Sequence, residues 1–173
     1  KMGKAVLLVP GDPLIATTHV VLRVTAQKRG IDTRVVHGAS ILSAAIALSG
    51  LHNYKFGRSV TIPFPDDVSL LTPYRVIGEN SKRGLHTLCF LDIKADERRY
   101  LTVTDALRGL LKIEAEKKNR IVTDDSVAVG VARAGSRDSI VRAGFVKDLL
   151  KCDFGEAPHT LIFAGRLHFM EAG

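Results

Sequence analysis

The stretch Pro10-Gly11-Asp12-Pro13-Leu14-Ile15-Ala16-Thr17-Thr18-His19 constrains this chain more than any other. It follows the apolar run Ala5-Val6-Leu7-Leu8-Val9, whose composition predicts a buried parallel strand. It precedes a segment carrying helix signals. A strand that ends in a Gly-Asp-Pro turn and leads into a helix is where an α/β protein holds a ligand, because ligands lie outside the carboxyl ends of parallel strands. The class this predicts is α/β. The first domain reads as incomplete, since a sheet opening on such a turn normally has further strands earlier in the chain.

The remaining pattern supports that class. Thr17 or Thr18 is expected to cap a helix that turns Val21, Val24 and Leu22 inward and ends at Gly30 in a left-handed cap. Asp32 to His37 predicts a second strand, and Gly38-Ala39-Ser40 a second strand-to-helix turn. Ile41 to Leu48 predicts an apolar helix ended by Gly50. Residues 1–50 thus read as β-α-β-α, a partial N-terminal domain, with 51–58 as connector and 59–173 as a second α/β domain with a mixed sheet and helices. In that second domain, strands are expected at Ser59–Phe64, Leu85–Ile93, Ser126–Ala132 and Thr160–Ala164. An edge strand with a helical tail is expected at Ile140–Leu149. Helices are expected at Pro73–Arg83, capped by Thr72, and from Thr102 or Thr104 to about Lys118.

Composition excludes several function classes. The chain has 173 residues, 46% hydrophobic and 25% charged, enough apolar material for a core. No apolar run is long enough for a membrane span, and no signal peptide with a small-residue cleavage site follows Lys1-Met2-Gly3-Lys4. Cys89 and Cys152 read as reduced packing residues of a cytoplasmic protein. Six histidines without His-x-x-x-His spacing give no metal site. The formal charge of +7 is spread along the chain, which favours a solvated basic face over a nucleic-acid site. A chain with no Trp and 6% aromatic residues also lacks a stacking platform for bases.

Four turns follow predicted strands: Gly11-Asp12-Pro13, Gly38-Ala39-Ser40-Ile41, Leu91-Asp92-Ile93 and Ala132-Arg133-Ala134-Gly135-Ser136. Parallel neighbours would align them along one crevice. Gly11 and Gly38 let backbone approach a ligand closely. Asp12 offers an acceptor to a hydroxyl or ammonium, and Ser40 can donate or accept.

These turns also carry a resemblance. Gly11 to His19, His37-Gly38-Ala39-Ser40-Ile41-Leu42-Ser43-Ala44, Tyr54-Lys55-Phe56-Gly57, Arg83-Gly84-Leu85-His86-Thr87, Leu91-Asp92-Ile93, Val131 to Ser136 and Asp153-Phe154-Gly155-Glu156-Ala157-Pro158-His159 resemble the tetrapyrrole-methylase family. The match runs from end to end in the right order. The Thr-Thr-His extension, Tyr-Lys-Phe-Gly and the Asp153–His159 block point to the branch of the family that serves diphthamide synthesis. The resemblance implies a two-domain enzyme that uses S-adenosylmethionine to methylate the amine of an aminocarboxypropyl group on a histidine of translation elongation factor 2. Carried over by position, the cofactor contacts are Asp12, Ile15, Ser40, Ile41, Leu91, Ala132 and His159, with packing as the alternative role for Ile15, Leu91 and Ala132. His168 is the weaker alternative to His159. The resemblance further implies a homodimer. The family's opening strand and Gly-rich loop have no counterpart here, so this chain alone is expected to bind the cofactor weakly. Lys55, Arg58, Arg133 and Arg166 are candidates to hold the substrate carboxylate or an acidic partner, and no general base is evident. Two rival readings are a same-fold methylase acting on a tetrapyrrole or ribosomal RNA, and a non-catalytic basic domain that binds nucleic acid.

Overall fold

A computed structural model describes residues 3–172. Lys1 and Met2, at the head of the expected first domain, and Gly173 lie outside the described residues. The chain divides into two compact units, one running up to Ala44 and the other starting at Ala45.

The first unit holds helix α1 (Val20–Lys28) and the start of α2 (Ile41–Ser49). α1 begins after His19, with no side-chain cap; Thr17 Oγ1 instead accepts from the His19 amide at 3.3 Å, two residues ahead of the cap position. Its C-terminus is as expected. Gly30 has φ +67°, the Gly30 amide donates to the Gln27 carbonyl, and the Ile31 amide donates to Ala26, the double closure of a Schellman motif. The expectations of strands at Ala5–Val9 and Asp32–His37 are not met, because neither segment is paired in a ladder. An apolar run becomes a strand only when a partner satisfies its amides and carbonyls. Val21, Leu22 and Val24 are likewise exposed rather than inward.

The second unit is built on a mixed five-stranded sheet: β1 (Val60–Ile62), β2 (Thr87–Leu91), β5 (Val127–Ala132), β6 (Ile140–Phe145) and β7 (His159–Phe163), in the order β1-β2-β7-β5-β6. β1 and β2 are parallel, and β7 is antiparallel to both β2 and β5. β2 and β5 therefore run the same way with β7 between them, and their carboxyl ends share one edge. Ile62, Cys89, Leu91, Ala128, Ala132, Leu161 and Phe163 form the core with α3 (Leu71–Lys82), α4 (Val103–Lys117) and α5 (Val146–Leu149).

Local differences from the sequence reading have physical causes. α3 starts two residues before Pro73, after Leu70 and without a Thr72 cap; a proline is tolerated within the first turn, where its missing amide has no intrahelical acceptor. Thr102, not Thr104, caps α4, accepting from the Asp105 amide. The strand expected over Leu85–Ile93 stops at Leu91, and a hairpin of β3 (Ile93–Lys94) with β4 (Arg99–Tyr100) follows. The strand with helical tail at Ile140–Leu149 is found as β6 and α5.

Candidate functional site

In the first unit the two glycine turns touch. A Cβ added to Gly38 would lie 2.7 Å from the Gly11 carbonyl oxygen, so only glycine allows this approach. Gly11 itself has φ +89°. Asp12 is nearly buried beside this contact. Its Oδ1 accepts from the Leu14 amide at 2.9 Å and its Oδ2 lies 2.8 Å from His37 Nδ1. The Leu14 amide first, then the His37 hydrogen bond, hold the carboxyl below its usual range, so it is an anion at neutral pH. Ser40 Oγ accepts from the Leu42 amide at 3.1 Å, at the head of α2, where Ile41 is the first helical residue. Ile15 is exposed, two residues beyond Pro13.

In the second unit, Leu91, Ala132 and His159 come together in one row across three strands. His159 is paired with Ala132, and Leu91 is one step along from the Phe90–Thr160 pair. The side chains of Leu91 and Ala132 lie in the core. What they can offer a ligand is backbone at the strand ends. His159 is held from both sides. Its Nδ1 accepts from the Val103 amide at 3.3 Å, at the start of α4, which places the proton on Nε2. Nε2 then donates to the carbonyls of Gly155 at 3.2 Å and Glu156 at 3.1 Å. Burial is the largest influence on the ring and keeps its pKa below the ordinary histidine value, so it is neutral at pH 7.

The four cationic candidates separate. Lys55 Nζ donates to Glu171 at 2.5 Å and to the Arg166 carbonyl at 2.7 Å. The Arg133 guanidinium is taken up by backbone carbonyls. Both are corrections, because these groups are spent inside the protein. Arg58 and Arg166 are exposed, with no side-chain ion pair among the described residues.

Sequence reasoning missed Glu171. Its carboxylate is fully buried and accepts from the amides of His52 at 2.8 Å and His168 at 2.7 Å, from Lys55, and from His86 Nε2 at 3.0 Å. Burial alone would raise its pKa, but these donors outweigh burial and hold the carboxyl far below its ordinary range. His86 is also buried, with Nδ1 accepting from the Gly165 amide at 2.9 Å. Nothing in the spacing of residues 52, 55, 86 and 171 signals this cluster. Among the described residues, no group of three or more His, Cys, Asp or Glu is placed to hold a metal ion, and no helix is long and apolar enough to cross a membrane.

The helices and the mixed sheet place the chain in the α/β class. The family described as Tetrapyrrole (Corrin/Porphyrin) Methylases matches residues 1–150, and the chain belongs to that family. It is 49% identical to the diphthine synthase of Methanosarcina mazei over 98% of this chain and 65% of that protein. It is 50% identical to the diphthine synthase of Methanothermobacter thermautotrophicus over 96% of this chain and 63% of that protein. A crystal structure of a diphthine synthase superposes with a TM-score of 0.82 at 40% identity, covering 94% of this chain and 61% of that one. The chain thus spans somewhat less than two thirds of the length of these relatives.

Proposed function

We propose that the chain belongs to a methyltransferase that uses S-adenosylmethionine to methylate the amine of an aminocarboxypropyl group on a histidine of translation elongation factor 2, a step toward diphthamide. The observation that carries this reading is the 49–50% identity to diphthine synthases over nearly the whole chain. The residues fit such a cofactor. The Gly11–Gly38 contact leaves bare backbone beside the ionised Asp12, an acceptor suited to a hydroxyl or ammonium. By resemblance to the family we assign the cofactor contacts to Asp12, Ile15, Ser40, Ile41, Leu91, Ala132 and His159.

The bound cofactor supplies a methyl group on a sulfonium, a good leaving group, and S-adenosylhomocysteine remains as product. The chain's residues have to hold, align and exclude water, and alignment alone is worth on the order of 7–11 kcal/mol. Arg58 and Arg166, free of internal ion pairs among the described residues, are our candidates for the acceptor's carboxylate. The reading also assigns a cytoplasmic homodimer, in keeping with the free thiols of Cys89 and Cys152. The test is mass spectrometry of elongation factor 2 bearing the aminocarboxypropyl group, after incubation with the enzyme and S-adenosylmethionine. Added methyl mass on the modified histidine is expected. Methylation of a tetrapyrrole or of ribosomal RNA, with the factor untouched, would overturn the reading.

A further inference from the structure

Arg133 follows Ala132 directly and leaves β5 in a left-handed conformation, φ +48°, that non-glycine residues rarely adopt. Its amide donates to the Pro158 carbonyl at 2.9 Å, next to His159. Its side chain folds back over the loop that precedes β7. Nη1 donates to the Glu156 carbonyl at 2.6 Å and reaches the Phe154 carbonyl at 3.4 Å, and Nη2 donates to the Asp138 carbonyl at 2.8 Å. Nε lies 2.7 Å from the Asp138 carboxylate. The guanidinium lies against Gly155, where an added Cβ would fall 2.9 Å from Nη1. The side chain is only 15% exposed.

His159 grips the same loop from the other side, through the carbonyls of Gly155 and Glu156. The Glu156 carbonyl is therefore shared by Arg133 and His159. Phe154, at the head of the loop, is buried with its ring over Gly130 of β5. A planar fork with five donors can span several carbonyls at once, which a lysine ammonium cannot.

We propose that Arg133 is a positioning residue that clamps residues 154–158 and, through the shared carbonyl, fixes the ring of His159 at the strand-end row. This rests on the cofactor site assigned above. It takes Arg133 away from the substrate carboxylate and gives it a role in cofactor affinity. Arg133→Ala removes the clamp, and Arg133→Lys keeps the charge without the fork.

The clamp is read by nuclear magnetic resonance on this chain, independently of activity. In the parent chain the His159 ring should show a single tautomer with the proton on Nε2, and the Gly155 amide, which donates to Asp153 Oδ1 at 2.7 Å, should exchange slowly. In both variants the tautomer preference should weaken and that amide should exchange faster, with the remaining sheet amides unchanged. Chemical-shift titration with S-adenosylhomocysteine, which reads weak affinities as well as tight ones, should give a loss of about 10- to 100-fold, the size of effect that misplacing a supported contact produces. An unchanged ring tautomer and unchanged exchange would overturn the clamp. An unchanged affinity with a raised KM for the protein acceptor would return Arg133 to the substrate and overturn its role toward the cofactor. Failure of the parent chain, extended to the length of its relatives, to bind S-adenosylhomocysteine would remove the functional reading instead, while the resonance measurements still decide the clamp.

Discussion

Single buried carboxylates organise much of the local structure. Asp12 is tied to the turn by the Leu14 amide and to His37 by its other oxygen. Asp12→Asn keeps the shape and removes the charge. A hydrogen bond to a charged group is worth about 1.5–3 kcal/mol, so affinity for S-adenosylhomocysteine should fall roughly 10- to 100-fold by calorimetry. Glu171 has the opposite role, holding a helical turn at residues 169–171 against residues 52–55 and His86. Glu171→Ala leaves two amides, a lysine and a histidine without their acceptor. The expected loss is about 3 kcal/mol in denaturant unfolding. Because its carboxyl is held below the usual value of 4.5, the stability it contributes is complete above that pH and is lost as pH falls further. Acid unfolding of Glu171→Gln should be correspondingly less steep below about pH 4.5.

At the scale of elements, β5 and β7 depend on what packs across their ends. Gly130, in the middle of β5, faces the ring of Phe154, which would overlap an added Cβ. Gly130→Ala should cost about 1–3 kcal/mol through overpacking, and Phe154→Leu in the same chain should recover part of it; thermal unfolding of the single and double variants measures both. The junction of α4 with β7 rests on neutral His159, whose pKa lies below the ordinary 6.5. A buried histidine that resists protonation makes the folded state bind fewer protons than the unfolded one. Its contribution is therefore full above about pH 6.5 and declines as pH falls through that value. His86 acts in the same direction, since its pKa is lowered by burial too. Unfolding free energy measured between pH 8 and pH 5 should be flat and then fall, and His159→Gln should remove part of the fall.

At the scale of the whole molecule, apolar side chains in the first unit remain uncovered. Val6, Leu7, Leu8, Val20, Val21, Leu22 and Val24 are all exposed. A single chain seldom leaves so many large apolar groups in water unless another surface covers them. Sedimentation should show concentration-dependent association, with a dimer as the expected species. Val21→Glu with Leu22→Lys should move the chain toward monomer, and a parent chain that stays monomeric at high concentration would count against the homodimer.

What the sequence determined by itself was local. The left-handed stop at Gly30, the strand with a helical tail over Ile140–Leu149, the amphipathic face of α4 and the turns at Gly11 and Gly38 all depend on chemistry within a few residues, and the sequence predicts each. The tertiary structure decided what depends on partners distant in the chain. Ala5–Val9 has the composition of a strand, yet no neighbour completes its ladder. Leu91, His159 and Ala132 become one row only through the β2-β7-β5 order, which no periodicity encodes. Lys55 and Arg133 look like free cations in the sequence, but Glu171 and the 154–156 carbonyls occupy them. Pattern reports which way a side chain prefers to face. Only the folded chain brings to it the charge or carbonyl, 116 residues away for Lys55 and 23 for Arg133, that decides what it does.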